Sequence, residues 1–185
     1  MQYVVVGLGG QGILFSSKVL GHIALSRGAH VMGSEVHGMA QRGGSVVSHF
    51  KIGEYASPLV RTGDADLLLA FDQNEGFRNL QFLRSGGHAL INLHQPEAVE
   101  NEHLQKFARE REISLHTIPG YDLLRQHMGG RFLFLNVLLL GAMGGAGVTD
   151  ITSEELRKAI EALSPERFRK ANLDVLELGR AFFAS

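Results

Sequence analysis

Tyr3-Val4-Val5-Val6-Gly7-Leu8-Gly9-Gly10-Gln11-Gly12-Ile13-Leu14-Phe15-Ser16-Ser17-Lys18-Val19-Leu20 joins a short apolar run to a stretch of different period across a cluster of glycines. The valines read as a buried parallel strand, and Ile13, Leu20, Ile23 and Ala24 fall on one face of a helix. The glycines Gly7, Gly9, Gly10 and Gly12, with Gln11 among them, therefore occupy a strand-to-helix turn. At such a turn, backbone N–H groups and the positive end of the helix dipole can receive a phosphate or carboxylate. The spacing satisfies G-x-G-x-x-G in the context that motif requires. Glycines there also serve tight packing of helix on strand, and the residues alone leave both readings open.

The same alternation runs outward from this turn. His30-Val31-Met32 reads as a short second strand, and Ser45 to Gly53 as a half-exposed strand near a sheet edge. Leu67-Leu68-Leu69-Ala70 reads as a central strand. Asp72 and Glu75 form a capping-box-like start for a helix through Leu83, closed by Gly86-Gly87. A strand at Ala89 to Asn92, a helix from Pro96 to about Arg111 and a strand at Ser114 to Ile118 follow. Beyond them, Arg131 to Ala142 is apolar nearly all round, Gly144-Gly145-Ala146-Gly147 breaks it, Thr152 with Glu155 caps a further helix, and Pro165 begins the last. The expectation is a single α/β domain over residues 1–185: a three-layer, Rossmann-like, mostly parallel sheet with helices on both faces and a C-terminal helical segment.

Between the second and third strands, Gly33-Ser34-Glu35-Val36-His37-Gly38-Met39-Ala40-Gln41-Arg42-Gly43-Gly44 is polar where a core segment would be apolar. Read as a loop, it offers an acceptor in Glu35, a titratable ring in His37, an amide in Gln41 and a guanidinium fork in Arg42. Gly38, Gly43 and Gly44 let another molecule come close, and Ser34 adds a hydroxyl. Ligands of open α/β sheets gather outside the carboxyl ends of the strands, so this segment and the first glycine turn can share one surface. Arg42 can take two oxygens in plane. No catalytic base is evident; His37 and Arg42 are the candidates for any catalytic role.

Composition narrows the classes. With 44% hydrophobic residues in 185 the chain can bury one core, and a formal net charge of -1 gives no footprint for nucleic acid. There is no cysteine, so the chain supplies no thiolates for an iron–sulfur cluster or a zinc site. The nine histidines make neither H-E-x-x-H nor H-x-x-x-H, and no metal site is expected. The apolar stretch from Phe132 to Met143 is too short to span a bilayer. The N-terminus lacks a basic secretory n-region, which points to the cytoplasm. Glu35 also stands at about the distance past the glycines where an acid holds an adenine ribose. A freestanding Rossmann-like protein that binds NAD(P) or another nucleotide is therefore the alternative reading.

Gly7-Leu8-Gly9-Gly10-Gln11-Gly12 is similar to the G-x-G-G-Q-G opening of the gamma-type subunits of 2-oxoacid:ferredoxin oxidoreductases. Gly33-Ser34-Glu35, His37-Gly38-Met39 and Gln41-Arg42-Gly43-Gly44 resemble the second block of that family. Asn136, Leu140-Gly141, Asn172-Leu173 and Leu178-Gly179 are similar to its late motifs. The resemblance runs nearly end to end and is closest to the beta subunit of the indolepyruvate branch. It implies oxidative decarboxylation of an aryl 2-oxoacid to its acyl-coenzyme A, with ferredoxin reduced. Coenzyme A is then a co-substrate, and thiamine diphosphate and Fe-S clusters lie in a larger partner subunit. This chain would hold no cofactor alone, would complete the assembly, and would be inactive by itself. A second copy of the chain is a further partner this reading admits.

Overall fold

The computed structural model describes residues 1–38 and 43–184. Its sheet has six strands: β1 (Gln2–Leu8), β2 (Val31–His37), β3 (Ser45–Ile52), β4 (Ala65–Ala70), β5 (Leu83–Asn92) and β6 (Ser114–Ile118), in the order β2-β3-β1-β4-β5-β6. β1, β4, β5 and β6 pair in parallel, while β3 runs antiparallel to both β1 and β2. Only β3 is reversed, so the sheet is mixed with a parallel majority.

Period-two alternation divides the core. Tyr3 and Val5 face α1 (Ile13–Ser26), α5 (Leu135–Ala146), α6 (Ser153–Leu163) and α7 (Glu166–Phe183), whereas Val4 and Val6 face α2 (Gln73–Asn79) and α3 (Glu102–Glu110). The leucines of β4 split in the same way, Leu67 and Leu69 one way and Leu68 the other. Thr152 caps α6 in a reciprocal capping box with Glu155. The Arg27 guanidinium grips Glu155 and Asp150 and ties the end of α1 to that cap.

Several elements differ from the sequence expectation. The second strand continues through Glu35 to His37, because its backbone pairs with β3 residue for residue, Val31 with Ile52 through His37 with Val46. Half of the polar segment is therefore strand, and the polarity reflects an edge position. β3 is an interior strand with Ser48, His49, Phe50 and Lys51 buried, and the edge belongs to β2. The helix begun by Asp72 ends at Asn79 and passes through a 3-10 turn, Leu80–Phe82, straight into β5. Gly86 and Gly87 thus lie inside a strand, with Gly87 pressed against the carbonyls of Arg84 and Ala65. α4 (Gly120–Met128) had no separate expectation. Pro96–Glu100 forms a 3-10 turn before α3. Gly144 and Gly145 continue α5, which ends at Gly147.

β6 carries a titrating contact. His88 Nδ1 and His116 Nε2 lie 3.3 Å apart across β5 and β6, and the His116 ring meets Phe183 edge-on near the end of α7. Burial first, and His88 second, hold the His116 imidazole below the usual histidine range; burial and Lys51 lower His49 in the same direction. Between those depressed values and about 6.5, the unfolded chain binds protons that the native state refuses. Stability is therefore full above the unfolded value and falls as pH drops through the window. Melting temperature should decline from pH 7 to pH 5 at constant ionic strength, less steeply in His116→Gln. An unchanged slope in that variant contradicts the account.

Candidate functional site

The glycine turn leaves the carboxyl end of β1 and delivers the chain into α1. Gly12, the N-cap, is left-handed at φ 84° with no side-chain cap, and a Cβ there would strike the Asn136 side chain at the start of α5. Gly7 has no room for a Cβ against Gln11 and Phe71. Packing thus accounts for two of the turn's glycines. Gln11 is consumed internally: its Oε1 accepts from Leu8 N at 2.7 Å, and its Nε2 donates to Tyr121 OH at 3.0 Å and to Phe71 O at 3.4 Å. It clasps the ends of β1 and β4 to α4. The first-turn N–H groups of α1, by contrast, have no intrahelical partner.

The hairpin between β2 and β3 meets this turn. Gly9 N donates to Gly44 O at 2.9 Å, Gly43 N to Gly9 O at 3.4 Å, and Gly38 N to Ser45 O at 2.8 Å across the hairpin neck. Ser45 Oγ donates to Glu75 Oε2 at 2.6 Å, and Arg78 Nη1 donates to Glu75 Oε1 at 2.9 Å. Glu75 is buried, so its carboxylate is offset by one hydroxyl and one guanidinium. The root of the hairpin is therefore held to both the glycine turn and α2.

This meeting point is the switch of the sheet. After β1 the chain turns toward β2 by way of α1 on one face; after β4 it turns toward β5 by way of α2 on the other. Such a reversal opens a crevice between the two strand ends. Beside it lies a cleft of about 400 Å³ lined by Asp72, Leu93, His94, Tyr121, Asp122 and Arg125. Burial outweighs the Gln11 hydrogen bond and raises the Tyr121 hydroxyl above the usual phenol range. That hydroxyl accepts from Gln11 and keeps its own proton to donate. Asn92, fully buried beneath these elements, donates to Phe71 O and accepts from Gly120 N, tying the ends of β4 and β5 to the start of α4.

The structure brings Gly7, Gly9, Gly10, Gln11 and Gly12 together with Gly38, Gly43 and Gly44. Ser34 and Glu35 lie farther out on β2, opposite His49 and Ser48, with Glu35 exposed on the α1 face. The backbone of His37 ends β2; its side chain, and all of Gln41 and Arg42, lie outside the described residues. Glu35 cannot act as the ribose acid of a dinucleotide site. There the second strand adjoins the first, whereas here β3 intervenes and sets β2 about 10 Å from β1, at about 5 Å per strand. Sequence reasoning missed Tyr121 in the first turn of α4, Asn92 at the end of β5 and His94 just beyond it, none of which belongs to a motif. Asn136 and Glu75 were visible only as a motif residue and a helix-start residue. Among the described residues no group of three or more His, Asp or Glu is placed to hold a metal ion, and no helix is long and apolar enough to cross a membrane.

An open α/β sheet with a glycine turn and a hairpin root joined at its switch point defines a Rossmann-like architecture. Residues 2–182 match the family described as Pyruvate ferredoxin/flavodoxin oxidoreductase, and the chain belongs to that family of oxidoreductase subunits. It is 31% identical to the indolepyruvate oxidoreductase subunit IorB of Archaeoglobus fulgidus, over 97% of this chain and 93% of that protein. It is 29% identical to the ketoisovalerate oxidoreductase subunit VorA of Methanothermobacter marburgensis, over 95% of this chain and 35% of that longer protein. In fold it is similar to the crystal structure of the keto/oxoacid ferredoxin oxidoreductase gamma subunit from Geobacter sulfurreducens. That match has a TM-score of 0.72 at 23% identity and covers 98% of this chain and 97% of the other.

Proposed function

We propose that this chain is the small subunit of an indolepyruvate:ferredoxin oxidoreductase, in which an aryl 2-oxoacid is decarboxylated to its acyl-coenzyme A and the electrons pass to ferredoxin. The larger subunit carries thiamine diphosphate and the iron–sulfur clusters, and this chain is inactive alone. Such a division suits a chain with no cysteine and, among its described residues, no cluster of metal ligands. The observation that carries the reading is the junction of Gly9 with Gly43 and Gly44, which holds the root of the β2–β3 hairpin to the glycine turn at the switch of the sheet. In this reading Arg42, supported by Gln41 and Glu35, contacts the partner subunit or the substrate carboxylate, and the first turn of α1 receives an anion or packs on the partner. His37 is the candidate for proton transfer in the same segment. The indolepyruvate assignment is supported by the 31% identity to IorB over nearly the whole of both chains.

The test is co-expression with the large subunit encoded in the same organism, followed by coenzyme A-dependent ferredoxin reduction with a panel of 2-oxoacids. Activity should require both chains, and indolepyruvate and phenylpyruvate should exceed ketoisovalerate and 2-oxoglutarate in kcat/KM. Preference for an aliphatic acid overturns the substrate assignment. Failure to co-purify, with tight NAD(P) binding by the isolated chain, overturns the subunit assignment.

A further inference from the structure

A second and larger cleft, about 760 Å³, lies between α2 on one side and the Pro96–Glu100 turn with α3 on the other. Phe77 of α2, Leu80 of the turn after it, and Leu104 and Phe107 of α3 make an apolar floor. Leu80 is buried, and the other three are half-buried against the core of that sheet face. Several polar groups of the wall are spent within it. Gln73 bonds to Gln95 and to the backbone of His94, and Asn101 accepts from the His103 and Leu104 amides at the start of α3. Arg78, the one guanidinium in the lining, donates to Glu75. Two carboxylates are left over. Glu97 and Glu100 are both exposed, and neither has a hydrogen-bond or ion-pair partner for its side chain among the described residues.

An apolar floor under two unmatched carboxylates is complementary to apolar side chains beside a cation. A second copy of the chain docked on itself here would set the same carboxylates against each other, which disfavours it. We propose that this cleft docks the larger subunit of the complex through an amphipathic segment. Its apolar side chains lie on Phe77 and Phe107, and a lysine or arginine lies between Glu97 and Glu100. The inference rests on the subunit reading above and adds a contact surface to it. That surface is joined to the hairpin root, because Arg78 holds Glu75 and Glu75 holds Ser45.

The test is the affinity of the full chain for the purified larger subunit, measured for the parent and three variants at low and high ionic strength. Glu97→Lys/Glu100→Lys should weaken association by about tenfold or more at low salt, and by less at high salt, where screening removes the charge contribution. Ala98→Phe, which fills the cleft from its lining, should weaken it by about tenfold or more at both. Glu54→Lys, a reversal of an exposed charge just beyond β3, should leave affinity within about twofold of the parent. Should the circular dichroism spectrum show that Ala98→Phe does not fold, the double charge reversal and its salt dependence decide. Parent-like affinity in the double reversal or in folded Ala98→Phe, or an equal loss in Glu54→Lys, overturns this inference and leaves the subunit reading standing. Loss of self-association in place of large-subunit binding assigns the cleft to a second copy and overturns it too. No association of the parent chain with the larger subunit overturns the subunit reading and this inference with it.

Discussion

Gly179→Ala is expected to destabilise the protein by about 3 kcal/mol or more, at or beyond the upper end of what overpacking usually costs. α5 and α7 cross with backbone against backbone. A Cβ on Gly179 would overlap the carbonyl oxygen of Leu138 and lie 2.9 Å from the amide nitrogen of Ala142. A Cβ on Gly141 would overlap the carbonyl oxygen of Leu176, and one on Gly145 that of Arg180. Flexible side-chain ends can swing aside, but these are main-chain atoms in two regular helices. The only relief is to push the helices apart, which opens voids beside Leu138, Leu139 and Val175 in the core. Against a total stability of about 5–15 kcal/mol, that loss is a large fraction of the whole. Gly21→Ala is the control: a Cβ there meets only Phe50 at ordinary contact distance, so helix propensity should raise stability by up to about 1 kcal/mol. Urea unfolding of both variants checks the contrast. Comparable midpoints for Gly179→Ala and the parent would mean that the helices do not cross this closely.

Arg42→Lys is expected to lower kcat/KM of the reconstituted complex by about 10- to 100-fold, although charge is conserved. A guanidinium can bind a carboxylate through two parallel N–H donors, whereas an ammonium offers one point contact. Hydrogen bonds to charged groups are worth about 1.5–3 kcal/mol each, so losing one of a pair accounts for a deficit of that size. Arg42 lies outside the described residues, but both hairpin roots beside it are tethered, Gly38 to Ser45 and Gly43 and Gly44 to Gly9. A fall confined to KM would assign the contact to substrate, and a fall in complex affinity would assign it to the partner. Full coupled activity would remove Arg42 from the site. A companion His37→Gln complex with an unchanged pH–rate profile would likewise remove His37 from proton transfer.

Local chemistry made a large part of the molecule legible. The β1 turn, the β4 run, β6 and the Thr152 cap follow from periodicity and capping residues, which act within a few positions of one another. The path of the polar segment did not, since Ser34, Glu35 and Val36 look like loop until β3 supplies their hydrogen-bond partners. Gly86-Gly87 and Gly144-Gly145 read as breaks for the same reason: a glycine that ends an element and one that lets another backbone approach are identical in sequence. At the site, the glycine turn and the hairpin were both recognisable, but the partners of Gln11 were not. Leu8, Phe71 and Tyr121, the last 110 residues away, turn it into an internal clasp.

By itself the amino-acid order determined the alternation of strands and helices, the glycine turn after β1 and the lack of cysteine ligands, because each depends on residue type and near-neighbour spacing. Tertiary structure alone decided that β3 enters between β1 and β2, so that Glu35 is carried away from the turn while Gly44 is brought onto it. Strand order is set by long-range backbone pairing and by which apolar faces can be buried together, and neither quantity is encoded at any single position.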